Sequence, residues 1–285
     1  MKSLISATMI VCFLILCSAH AEHLRAPGIE RDYIRGFNHS DYTFDADTTE
    51  LDDFIITTME DCYIPGAAAC IIKDGAIRWS GVYGWANIEN SIPVANTTLF
   101  MLASISKTFT GTAVMQLWEE ELFELDADVN DYLPFQVRSP HHPLSPITFQ
   151  MLLTHTSSIA DYWPVLNSLY VFGSDSPIPL DEFLENYLID GGDYNYPQNF
   201  KLWSPGMDFQ YSSVGVALLG YLVERITGTS FDEYCQNSIF DPLGMEQTSW
   251  FLEGLDPDNI AMPYEWNGSF YEPYGQYGFP FYPAG

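Results

Sequence analysis

The sequence predicts an α+β fold: an N-terminal helix, a β-hairpin directly after it, and then a large helical region. Three observations carry this expectation. Leu51, Phe54, Ile55 and Met59 form an apolar stripe at helical spacing between Thr49 and Cys62. The apolar run Ala67 to Lys73 leads into Asp74-Gly75, a strong tight-turn dipeptide, and alternation follows from Ala76 to Tyr83. Val214, Leu218, Leu222 and Ile226 repeat at helical spacing, and Gly228 stands where such a helix would end.

In chain order, residues 1–21 read as a signal peptide. Lys2 is a short positive start, Ile5 to Cys17 is largely apolar, and Ala19-His20-Ala21 has the small-x-small form of a cleavage site. The chain is therefore expected to be secreted and extracellular, or periplasmic in a bacterium. A lipoprotein leader ending at Cys17 is the alternative, to which Leu14-Ile15-Leu16-Cys17 is a poor match. Residues 22–47 are polar and irregular and read as a loose arm, and residues 48–285 as one domain. Thr49 and Asp52 resemble a capping arrangement for the first helix, which Pro65-Gly66 breaks. A second helix is expected from Ala103 to Leu122, with Ile105, Phe109, Ala113 and Leu117 on its buried side. Shorter helices are expected over Thr148 to Thr154 and Leu180 to Ile189, and the clearest one over Ser212 to Ile226. Ser230 and Glu233 form the pattern of a capping box for a further helix reaching about Phe240. From Tyr264 onward the chain is rich in Tyr, Pro and Gly and shows little periodicity.

With 285 residues and 47% hydrophobic content, the chain is long enough and apolar enough to bury a full core. A formal net charge of −28 repels nucleic acid and anionic lipid, which excludes both as partners. The leader's apolar run is too short to span a bilayer, and no later segment is long and apolar enough. Beyond the leader stand Cys62, Cys70 and Cys235, an odd set that reads as small buried hydrophobes rather than a disulfide framework. No Cys or His spacing suggests a metal, and no cofactor is expected. Sequons at Asn38, Asn96 and Asn267 mark expected surface loops.

The chemistry points to Ser104-Ile105-Ser106-Lys107 at the mouth of the second helix. Residues three apart share a helical face, so the Lys107 amine falls beside the Ser104 hydroxyl. A serine hydroxyl is a weak nucleophile until a neighbouring base takes its proton. The match is informative because lysine is so scarce. Apart from Lys2 there are only Lys73, Lys107 and Lys201, and three lysines would give roughly 0.2 Ser-x-x-Lys matches at ordinary serine usage. A second candidate is Tyr211-Ser212-Ser213 at the start of the clearest helix. A tyrosine there can face a cleft and relay a proton, although taken alone Tyr211 reads as a half-buried packing residue.

Together these segments resemble the serine β-lactamase and penicillin-binding-protein superfamily, closest to class C β-lactamases and related esterases and D-amino-acid peptidases. Leu152 to Ser158 is similar to that family's LLTHTSG segment, and Pro205-Gly206 with Phe209 to Ser212 to its PGxxFxYSN segment. Leu218-Leu219-Gly220 with Val223 to Gly228 resembles the next helix, and Asp241 to Met245 with Thr248 the PLGMxxT turn. The likeness runs from about residue 50 to 285. It implies a β-lactamase/transpeptidase-like fold acting on a small-molecule or peptide substrate. Ser104 would be the acylated nucleophile, Lys107 its proton acceptor, Tyr211 the proton donor to the leaving group, and Ser213 a substrate-binding position.

Two departures stand out. Ser213 occupies the Asn slot of the family's Tyr-x-Asn motif, which leans the expected substrate from lactam toward ester or peptide. The family's Lys-Thr-Gly or His-x-Gly strand is not found before Gly285, so the chain reads as truncated, with the C-terminal sheet strands missing. An unpaired sheet edge would then favour self-association. The rival expectation is an impaired or dead remnant that binds a ligand or partner without turnover. His155 is expected to brace a turn by hydrogen bonds rather than to act in chemistry. Asp161-Tyr162-Trp163 is placed at a cleft rim with no chemistry assigned.

Overall fold

Helix α1 (Thr49–Asp61) packs on the sheet that follows it. The computed structural model describes residues 49–285; the leader, the arm and the Asn38 sequon lie outside the described residues. Ile55 and Met59 of α1 are buried against Trp79 and Tyr83. Phe54, expected in the same stripe, is exposed, because Leu51, Ile55 and Met59 at strict i, i+4 spacing already fill the contact. Asp52, in the first turn of α1, accepts a buried 2.7 Å hydrogen bond from the Tyr83 hydroxyl. Burial, reinforced by this carboxylate, pushes the Tyr83 phenol far above the usual tyrosine range.

Strands β1 (Gly66–Lys73) and β2 (Ala76–Asn87) form the expected antiparallel hairpin, running from Gly66↔Gly84 to Lys73↔Ala76. Asp74 and Gly75 take φ of 53° and 72°, the left-handed pair that a two-residue type I′ turn requires. β2 runs four residues beyond the expected Tyr83 because the short strand β3 (Ile92–Pro93) gives Trp85 and Asn87 a partner. The Tyr-rich segment that reads as aperiodic also folds: Tyr264–Trp266 pairs with Tyr271–Pro273. Asn267 closes the tip by accepting from the N–H groups of Ser269 and Phe270. Asn96 and Asn267 are exposed, as expected for surface loops. These elements form one compact unit, residues 49–101 with Asp256–Gly275.

Leu102–Leu255 with Gln276–Gly285 form the second unit, which is mostly helical. Its helices are α2 (Lys107–Glu119), α3 (Phe149–Leu153), α4 (Trp163–Leu166), α5 (Leu180–Leu188), α6 (Ser213–Thr227) and α7 (Phe231–Cys235). α6 is the hub. It is buried continuously from Ser213 to Val223, and α2, α3, α5 and α7 pack on it. Gly228 ends it at φ 72°, donating its N–H to Glu224 O at 2.8 Å. The Ser230 side chain makes no cap hydrogen bond; separately, the Phe231 N–H at the first position of α7 donates to Glu224 Oε1, 2.9 Å away. Phe279 and Phe281 are buried against Tyr170, and Phe281 also meets Phe183. The cysteines divide: Cys235 is buried, with its thiol pushed up to about 12 by burial, whereas Cys70 is half-buried and Cys62 exposed. Among the described residues no helix is long and apolar enough to cross a membrane.

Candidate active site

The Ser-x-x-Lys segment does not lie inside an α-helix as expected. Ala103–Ser106 forms a 3₁₀ turn, and α2 begins only at Lys107. The tighter winding strengthens the pairing, because residues i and i+3 eclipse at three residues per turn. Lys107 Nζ stands 3.1 Å from Ser104 Oγ. Ser104 is exposed, and so is Ile105, which was expected on the buried face; Ala113 and Leu117 are buried as expected, joined by Thr110 and Val114. Ala103, just before the serine, takes φ of 45°, an unfavourable conformation for an L-residue that steers the chain into the turn.

The amine is held from a second side. Lys107 Nζ donates to Ala284 O at 2.6 Å, and Thr110 Oγ1 donates to Pro283 O at 2.5 Å. The 3₁₀ turn Tyr282–Ala284 is thereby docked on the first turns of α2. Two glycines permit the close approach. A Cβ on Gly220 of α6 would lie 2.5 Å from Pro283, and one on Gly285 would lie 1.8 Å from Ala103 O.

Tyr211 precedes the N-cap of α6, and its ring centroid lies 5.0 Å from Lys107 Nζ. Ser104, Lys107 and Tyr211 thus belong to one neighbourhood, as the sequence suggests. The imidazole of His155 packs on the Tyr211 ring at 4.6 Å. His155 Nδ1 accepts from the Ser212 N–H at 3.3 Å, and its carbonyl accepts from the Gln210 N–H at 2.7 Å. This is the bracing role expected of it. Burial, and next the Lys107 charge, hold the His155 pKa below the usual histidine value against the opposing pull of Asp161. Ser213 is buried at 5% exposure on the first residue of α6.

The sequence reading left two contributors without a role. Asp161 accepts from Ser213 N (2.8 Å), Val214 N (3.1 Å) and Ser212 Oγ (3.1 Å), and so caps α6 from a distant segment. Ala284 contributes through its carbonyl, which every residue carries and no motif marks.

Comparison with known proteins places the fold and the family. The penicillin-binding protein homologue from Pyrococcus abyssi, described as octameric, superposes with a TM-score of 0.62 at 27% identity, covering 84% of this chain and 55% of that one. The fold is therefore of the β-lactamase/transpeptidase type, with helices dominating small sheets. The family model described as Beta-lactamase matches residues 51–285, and the chain belongs to that family. Among curated relatives, Protein flp of Staphylococcus aureus (strain MRSA252) is 28% identical over 222 residues, 77% of this chain and 42% of that protein. The D-aminopeptidase of Gluconobacter oxydans (strain 621H) is 33% identical over 200 residues, 70% of this chain and 34% of that enzyme. The chain thus spans less than half the length of these curated relatives.

Proposed function

We propose that this chain is an exported serine hydrolase that works through an acyl-Ser104 intermediate on an ester, peptide or lactam substrate. The observation that carries this reading is the 3.1 Å approach of Lys107 Nζ to Ser104 Oγ, with the amine also anchored on Ala284 O. Ser104 Oγ attacks the substrate carbonyl carbon as its proton passes to the Lys107 amine. The Ser104 N–H, in the first turn of the helical segment, supplies one donor to the resulting oxyanion. Collapse breaks the bond to the leaving group, which departs with a proton relayed through Tyr211. Water then attacks the acyl carbon, releases the acid and restores Ser104. A serine hydroxyl at position 213 cannot form the two-sided contact of an asparagine amide. This favours ester or peptide substrates over lactams.

A serine-reactive fluorophosphonate or penicillin probe tests the reading. Peptide mapping of the labelled chain is expected to place the adduct on Ser104. Ser104→Ala abolishes labelling, and Lys107→Ala slows it by about 10²–10⁴-fold, the range for losing a positioned proton acceptor. An adduct that persists in Ser104→Ala refutes the assignment.

A further inference from the structure

Tyr211 lies just outside α6, so its position depends on how the first turn of that helix is fixed. Three of the groups there converge on one carboxylate. Asp161 accepts from the Ser213 and Val214 N–H groups and from the Ser212 hydroxyl, while Ser212 Oγ itself accepts from the Gly215 N–H at 2.9 Å. The neighbours of Asp161 are also fixed. The fully buried Tyr187 hydroxyl donates to Ala160 O at 2.9 Å and accepts from the Tyr162 N–H at 2.7 Å. The Ala160 N–H donates to Asn199 O at 2.8 Å. The peptides on both sides of Asp161 are therefore held by buried groups, and the carboxylate is presented to α6 from a rigid mount. From the same stretch of chain, His155 binds the Gln210 and Ser212 N–H groups, one on each side of Tyr211.

We infer that Asp161 is a positioning residue: its carboxylate fixes the first turn of α6, places Tyr211 against Lys107, and through Tyr211 sets the rate at which Ser104 is acylated. This rests on the acyl-serine reading above. The Asp161 carboxylate bonds to the first turn of α6 and not to Ser104 or Lys107. A cap that served only stability would lower the folded population and leave the rate per folded molecule unchanged. A positioning residue slows the chemistry, because small misplacements of a reacting group cost up to about 10²-fold. Asp161→Asn tests the distinction with little change in shape. It leaves one acceptor oxygen but turns an NH₂ toward backbone donors.

The experiment measures fluorophosphonate labelling of the full chain as a maximal rate and a half-saturating probe concentration. Asp161→Asn is expected to lower the maximal rate by about 10–100-fold while the half-saturating concentration is unchanged. Tyr211→Phe should also slow labelling. The double variant should be no slower than the slower single one, since both changes remove the same contribution. Tyr187→Phe loosens the mount from behind and should give a smaller fall, again not additive with Tyr211→Phe; it serves as the test if Asp161→Asn fails to fold. Labelling of Asp161→Asn at the unaltered rate, or effects that multiply independently with Tyr211→Phe, overturns the positioning role alone. Absence of any Ser104 adduct in the unaltered chain overturns both this inference and the acyl-serine reading.

Discussion

Ser158→Gly should stabilise this protein. Ser158 takes φ of 65°, is fully buried at 0% exposure, and its hydroxyl has no hydrogen-bond partner among the described residues. A left-handed conformation costs an L-residue about 1–2 kcal/mol. A buried hydroxyl without a partner costs about 1–3 kcal/mol. Glycine removes both penalties. Against this stand its greater freedom in the unfolded chain, about 0.4–1 kcal/mol, and the loss of one buried methylene, about 0.8 kcal/mol. The central balance is a gain of about 2 kcal/mol, which raises Tm by about 4–6 °C in a chain of this size. Urea unfolding should show a higher midpoint at an unchanged slope. Ser158→Ala tests the hydroxyl by itself, because alanine loses the hydroxyl and keeps both the buried carbon and the backbone strain; it should recover about 1–3 kcal/mol. Ser158 lies between His155 and Asp161, and the family segment that this stretch resembles carries glycine at its position. A Tm for Ser158→Gly at or below that of the unaltered chain would refute the reasoning. It would mean that the strain is absorbed in the surrounding backbone or that the hydroxyl is satisfied within its cavity.

Two further outcomes are expected. The His155 pKa is depressed in the folded chain by burial and then by Lys107, with Asp161 opposing, so the unfolded chain takes up a proton first as pH falls below about 6.5. His155 therefore makes stability decline between pH 6.5 and its lower folded pKa, and the urea midpoint of the unaltered chain should fall more steeply there than that of His155→Gln; parallel curves would refute this. Gly220→Ala puts a methyl group 2.5 Å from Pro283 and should cost about 1–3 kcal/mol of stability while slowing Ser104 labelling, because Ala284 O moves off Lys107; a stable variant with an unchanged labelling rate would show that the Tyr282–Ala284 turn does not position the amine.

What could be read in the sequence is what depends on local chemistry. Asp74-Gly75 encodes its own turn, and the Val214 to Ile226 spacing and Gly228 define α6 and its end. The Ser104–Lys107 pair was legible because a spacing of three brings the side chains together in a 3₁₀ turn as well as in an α-helix, so mistaking one for the other left the conclusion intact. What escaped depends on partners remote in sequence. At the start of α7 the Ser230 side chain makes no cap bond, and the Phe231 N–H is taken by Glu224, which reaches over from the preceding helix. β2 ran past Tyr83 because β3 lay ready to pair with it. Asp161 was legible as a polar residue after a turn but not as a cap, since its three donors lie 51 to 53 residues away. The least legible contact is the Ala284 carbonyl, which reaches Lys107 across 177 residues and carries no side-chain signature. Side chains identify the proposed reacting groups, whereas on the reading above their spacing depends on a carboxylate, a backbone carbonyl and a glycine from three distant segments. Substitutions at Asp161 or Gly220 should therefore alter the rate at Ser104 while leaving every residue of the recognisable motifs in place.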